Sequence, residues 1–136
     1  KAVAAGECGV SISNTYYIAR LLRSEKPEDK KAMEKIGVVW PNQKSFGTHI
    51  NISGGGMLKT APHKDAAVTF LEYLANDEAQ AYFANGNNEW PAVKTVNARN
   101  PALESLGPFK PDSLNVGTLS KNTALAQKVF DRAGWR

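Results

Sequence analysis

Cysteine is all but absent: Cys8 is the only one in 136 residues. One thiol excludes a zinc-ribbon type of site, which needs several spaced ligands. It reads either as a small buried strand residue or as half of a disulfide whose partner lies outside this stretch. Histidine is scarce too, with only His49 and His63. Neither stands beside a nucleophile and no GxSxG elbow is present, so an enzyme is not expected. The triple glycine Gly54–Gly56 lacks the Lys-Ser/Thr and GxGxxG spacings that cradle phosphates. No apolar run approaches the ~18 residues of a spanning helix. The net charge is +4, but the basic residues are dispersed: Lys30 and Lys31 follow Glu28 and Asp29, and Lys35 follows Glu34. Such paired signs make solvated helix faces. No stripe of Lys and Arg interleaved with aromatics marks a nucleic-acid surface.

What is present is an ordinary globular composition, 42% hydrophobic and 22% charged. One stretch organises it, from Cys8 to Arg20. Cys8, Val10 and Ile12 alternate with Gly9, Ser11 and Ser13, the pattern of a strand with one buried face. Asn14 and Thr15 are good helix caps. From Tyr17 the apolar positions Tyr17, Ile18, Leu21 and Leu22 have helical spacing. A strand is therefore expected to hand over to a helix at Tyr16 and Tyr17. In open α/β sheets ligands bind at the carboxyl ends of strands. A helix N-terminus also offers free N–H groups and partial positive charge to anions.

Two adjacent phenols at such a point invite metal chemistry. A phenol is a poor acid, with a pKa of about 10. A strongly charged hard cation displaces its proton and binds the phenolate oxygen. Hard cations select oxygen ligands, and Fe(III) suits this exchange. Ordinary packing or surface aromatics are the plainer alternative for a bare Tyr-Tyr pair.

The helix opened at Asn14 is predicted to run to about Glu25, ahead of Pro27. A second runs from Pro27 to about Lys35, with Glu28 and Asp29 as first-turn acids and Gly37 ending it. Val38–Trp40 reads as a short strand. Thr48–Ser53 sets His49, Asn51 and Ser53 against Thr48, Ile50 and Ile52, and is predicted as a strand. Pro62–Asn76 is predicted as an amphipathic helix with Ala66, Ala67, Phe70, Leu71 and Leu74 on one stripe. Asp77 begins another, with Ala79, Tyr82 and Phe83 facing inward. Residues 94–118 read as mostly turn, with a short helix over Pro101–Ser105. Ser120–Ala133 is predicted as a last helix, capped by Asn122 or Thr123, with Leu125, Val129 and Phe130 inward.

Several of these segments resemble one known family. Gly6–Tyr17, GECGVSISNTYY, is similar to the segment of bacterial periplasmic ferric-ion-binding proteins that ends in their tyrosine dyad. Gly47–Lys59, GTHINISGGGMLK, resembles a strand of that family that crosses between lobes. Ala75–Gln80, ANDEAQ, and Asn88–Pro91, NEWP, resemble the segments that follow. The likeness is collinear over nearly the whole chain.

The resemblance implies an α/β, two-lobed, type II periplasmic-binding-protein-like fold. This chain would be its C-terminal portion, contributing to both lobes. Residues 1–46 and 99–136 would belong to the metal-binding lobe, and 47–98 to the other lobe with its hinge crossover strands. It implies a periplasmic protein that captures ferric iron and delivers it to the permease of an ABC importer in the inner membrane, as a monomer. Tyr16 and Tyr17 would give phenolates to Fe(III). Asn14 would lie beside a small synergistic anion such as carbonate or phosphate. Further ligands, a His or another Tyr and sometimes a Glu, would come from an earlier part of the chain. Arg20, one turn beyond Tyr16, is a candidate to assist deprotonation. His49 would sit near the hinge and Glu89 near the cleft. The alternatives are a protein of the same fold that binds an oxyanion or an organic cation, and a purely structural interaction module.

Overall fold

Helices form where the sequence supplies caps and apolar spacing. The computed structural model describes residues 1–97 and 99–135; Arg136 and Ala98 lie outside them. α1 (Ala2–Ala5) ends on Gly6 at φ 80°, a left-handed position that glycine takes without strain. α2 (Thr15–Leu22) follows Asn14, which is extended at φ −73°, ψ 147°. α3 (Pro27–Met33) starts on its proline and carries Glu28 and Asp29 in its first turn. α4 (Lys64–Leu74) and α5 (Asp77–Asn87) are separated by Asn76, whose side chain accepts from the Ala79 N–H at 2.9 Å. Asn88 ends α5 at φ 59°, one of the few side chains that tolerates that conformation. α6 (Pro101–Glu104) opens under Asn100, whose side chain accepts from the Ala102 and Leu103 N–H groups. A 3-10 turn, Val116–Thr118, leads into α7 (Leu119–Ala133).

The helix boundaries differ from expectation at several ends. α2 stops at Leu22 and α3 at Met33, each short of the sequence limit. α7 begins at Leu119, ahead of Asn122 and Thr123, because Asn115 already orders the preceding turn by accepting from the Gly117 N–H at 2.8 Å.

The three expected strands, Cys8–Ser13, Val38–Trp40 and Thr48–Ser53, do not form. Among the described residues the only β pairing is an isolated parallel bridge between Thr48 and Pro111. A strand exists through the ladder it makes with a neighbour. Alternation prepares a face for that neighbour but does not provide one. Val10 and Ile12 are accordingly 84% and 86% exposed. Cys8, expected as a buried strand residue, is an exposed free thiol for the same reason.

Two compact units are present: Lys1–Val39 with Asn51–Pro108, and Trp40–Ile50 with the chain from Phe109 onward. In the first, Ala19 is fully buried with Ala102 and Leu103, and Leu106 packs against them. α2 packs on α3 and α6, and α4 on α5. In the second, Trp40 and Phe109 stack with ring centroids 4.3 Å apart. Beside that stack the Thr48 N–H donates to the Lys110 carbonyl at 2.9 Å, and the Asp112 N–H to the Thr48 carbonyl at 2.8 Å. Gln43 Nε2 donates to Thr48 Oγ1 and to the Lys110 carbonyl, and its Oε1 accepts from the Lys110 N–H.

The expected inward stripes are covered only in part. Ala79 and Ala84 of α5 are buried, but Tyr82 is 72% exposed, and Phe70, Leu125, Val129 and Phe130 also face outward. An amphipathic stripe is buried only where another element lies against it. For α7, the element that packs on it is its own leading turn.

Candidate metal-binding site

The site is built on the first turn of α2. Spacing along a helix places Tyr16, Ala19 and Arg23 on one side and Tyr17 and Arg20 on the next. The first line is anchored. Ala19 is sealed against Ala102 and Leu103. At the C-cap, Arg23 Nη1 donates to the Asn85 carbonyl and, at 2.7 Å, to Asn88 Oδ1. Tyr16 therefore rises from a fixed side of the helix and is half-buried, while Tyr17 is 49% exposed.

The two rings lie with centroids 4.3 Å apart at 45°. Asn14 occupies the N-cap position but makes no side-chain capping bond. Its Nδ2 donates instead to the Tyr16 hydroxyl oxygen at 3.3 Å. Only its backbone serves the helix, accepting from the Tyr17 N–H at 3.2 Å. The cap side chain is thus committed to the phenol, and it leaves the orphan N–H groups of the first turn to other acceptors.

The Tyr17 hydroxyl is held above the ordinary phenol range, first by its hydrogen bond with Tyr16, then by the charge Tyr16 would carry, then by desolvation; Arg20 pulls the other way. The Arg20 guanidinium carbon stands 6.0 Å from the Tyr17 ring centroid, at the outer reach of a cation–π contact. A hard cation that binds phenol oxygens exchanges their protons for metal–oxygen bonds. Two oxygens fall well short of the ~6 that a hard octahedral ion takes.

Asn14, Tyr16 and Tyr17 are thus brought together. His49 is exposed and belongs to the other compact unit, and His63 is exposed at the N-cap of α4 without a capping bond. Among the described residues no group of three or more His, Cys, Asp or Glu could hold a metal ion. Sequence reasoning missed Asn88 and Asn100, both buried, and the part Arg23 plays with them. Asn100 had a legible signal, since Asn before Pro marks a helix start. The contact from Arg23 to Asn88 spans 65 residues and had none.

The family model for bacterial extracellular solute-binding proteins matches residues 1–110. The chain belongs to that family. This solute-binding chain is 45% identical to iron uptake protein A2 and 43% identical to iron uptake protein A1, both of Synechocystis sp. (strain ATCC 27184 / PCC 6803 / Kazusa). It is matched over its whole length and spans 40% and 38% of theirs. Among solved structures it is similar to the Trichodesmium protein IdiA (FutA) in complex with iron and citrate ligands, at 51% identity and a TM-score of 0.91. That match covers all of this chain and 43% of the other. It is also similar to the ferric binding protein from Campylobacter jejuni, at 36% identity and a TM-score of 0.90, over 99% of this chain and 42% of that one. The fold is therefore that of the type II periplasmic binding proteins, and this solute-binding chain corresponds to their C-terminal portion.

Proposed function

We propose that the complete protein is a periplasmic Fe(III)-binding protein, a carrier and not an enzyme, that hands ferric iron to the permease of an ABC importer. Tyr16 and Tyr17 supply phenolates from the start of α2. Residues elsewhere in the complete chain supply the remaining ligands. A small anion such as carbonate or phosphate sits at the open first turn of α2, beside Asn14. Closure around the ion is a hinge motion through segments such as Thr48–Ser53, which spans the passage from one compact unit to the other at Ile50 and Asn51.

The observation that carries this reading is the pair of phenol rings with centroids 4.3 Å apart at a helix start, one half exposed, with the cap side chain turned onto the other. Support comes also from relatives that are, by name, iron uptake and ferric binding proteins. The test is made on the complete protein loaded with Fe(III). A visible phenolate-to-iron charge-transfer band is expected, and Tyr16→Phe with Tyr17→Phe should bleach it. Colour and affinity that survive the double change would sink the dyad. The same fold would then carry another solute, an oxyanion or an organic cation.

A further inference from the structure

We propose that Arg23, Asn88 and Asn100 form a clasp that sets the pose of the dyad helix, so that the grip of Tyr16 and Tyr17 on their metal depends on residues that never touch it. The proposal rests on the reading of those tyrosines as Fe(III) ligands.

The clasp is continuous. Arg23 Nη1 donates to Asn88 Oδ1 at 2.7 Å and to the Asn85 carbonyl. Asn100 Nδ2 donates to the same Asn88 Oδ1 at 3.1 Å and to the Ala84 carbonyl at 2.8 Å. Asn100 Oδ1 accepts from the Ala102 and Leu103 N–H groups. Those two residues form the floor on which Ala19 is buried. One acceptor atom, Asn88 Oδ1, thus joins the end of α2 to the cap of α6, and α6 supports the middle of α2. Both asparagines are buried, at 5% and 4% exposure. Buried polar groups that satisfy one another fix one arrangement and penalise others.

The geometry connects this clasp to the site. Tyr16 and Arg23 lie at opposite ends of the anchored side of α2, about 10 Å apart along the axis. A tilt of about 10° about Ala19 would carry the phenol about 1 Å or more, against a metal–ligand tolerance of about 0.2 Å. Arg23, Asn85, Asn100 and Ala102 line a recess of about 350 Å³. At the cap end of α2 these hydrogen bonds add to the packing of α2 on α3 and α6.

The test uses the complete protein and three variants. Asn88→Gly removes the shared acceptor while keeping the left-handed backbone that the residue occupies. Arg23→Met keeps the stem and removes the donors. Asn88→Asp keeps the acceptor oxygen. Fe(III) affinity and the charge-transfer band are read at a temperature where circular dichroism shows each variant folded. Asn88→Gly and Arg23→Met should each lose at least tenfold in affinity and shift or weaken the band. Asn88→Asp should stay within about twofold of the parent. If Asn88→Gly does not fold, Arg23→Met decides. Variants that melt earlier yet keep the parent's affinity and band would overturn the clasp, because stability alone would then be its role. A Tyr16→Phe/Tyr17→Phe protein that keeps its colour would instead overturn the metal reading.

Discussion

Replacing Asn100 by alanine should cost far more than losing a helix cap. Asn100 caps α6 by accepting from two N–H groups, at 3.1 and 3.2 Å. A lost cap is worth about 1 kcal/mol. The same side chain donates to the Ala84 carbonyl and to Asn88 Oδ1, and it is 4% exposed. Partners left unpaired away from water add about 1–3 kcal/mol. The sum is about 2–4 kcal/mol. Asn76 is the internal control. It caps α5 with one bond to the Ala79 N–H and is exposed, so Asn76→Ala should cost about 1 kcal/mol. Urea unfolding of the complete protein measures both, and amide exchange at Ala102 and Leu103 reports the local effect. Equal costs for the two substitutions would refute the claim that Asn100 belongs to a buried network and is more than a cap.

Three further outcomes follow from other contacts. Asp29 is held below the ordinary carboxylate value of 3.8, first by its hydrogen bond with Lys1 and then by that with Ser24. Its contribution is present above the unfolded value and lost as pH falls through the lower folded one. Asp29→Asn should therefore flatten the acid side of the stability profile below about pH 4, read from urea midpoints. Gly47→Ala should destabilise by about 1–3 kcal/mol, since Gly47 has φ 102° and a Cβ there would lie 2.7 Å from the Lys110 carbonyl oxygen; a neutral change would show that the Thr48–Pro111 pairing yields freely. Leu103→Ala empties the floor beneath Ala19 and should cost about 2–5 kcal/mol by chemical unfolding.

The helices were legible because their causes are local. Asn76 before the acids of α5, Pro27 before Glu28 and Asn100 before Pro101 each place a start within a residue or two. The placement of Tyr16 and Tyr17 was legible too, as two adjacent phenols at the first turn of a predicted helix. The strands were misread because alternation at Cys8–Ser13 and Thr48–Ser53 describes a face, while a ladder needs a partner that pattern does not name. The buried position expected for Cys8 failed with the strand that was to carry it. The inward stripe expected for α7 failed in the same way, with Leu125, Val129 and Phe130 exposed. The link from Arg23 to Asn88 was invisible for a related reason: an arginine ending a helix and an asparagine in a turn are each commonplace, and only the fold brings them within 2.7 Å.

The proposed site has a chemical half, written locally in Asn14, Tyr16 and Tyr17, and a mechanical half, assembled from Arg23, Asn88 and Asn100. The two halves predict different signatures. Each phenol that binds Fe(III) gives up a proton, so affinity falls as pH falls, with a steepness set by the number of phenols exchanged. Tyr16→Phe or Tyr17→Phe removes one proton from that exchange and should make the pH dependence shallower. A clasp substitution leaves both phenols in place. It should displace the whole affinity profile downward without changing its slope. Weakened binding with an unchanged slope therefore marks a helix held in the wrong pose, and weakened binding with a shallower slope marks a lost ligand.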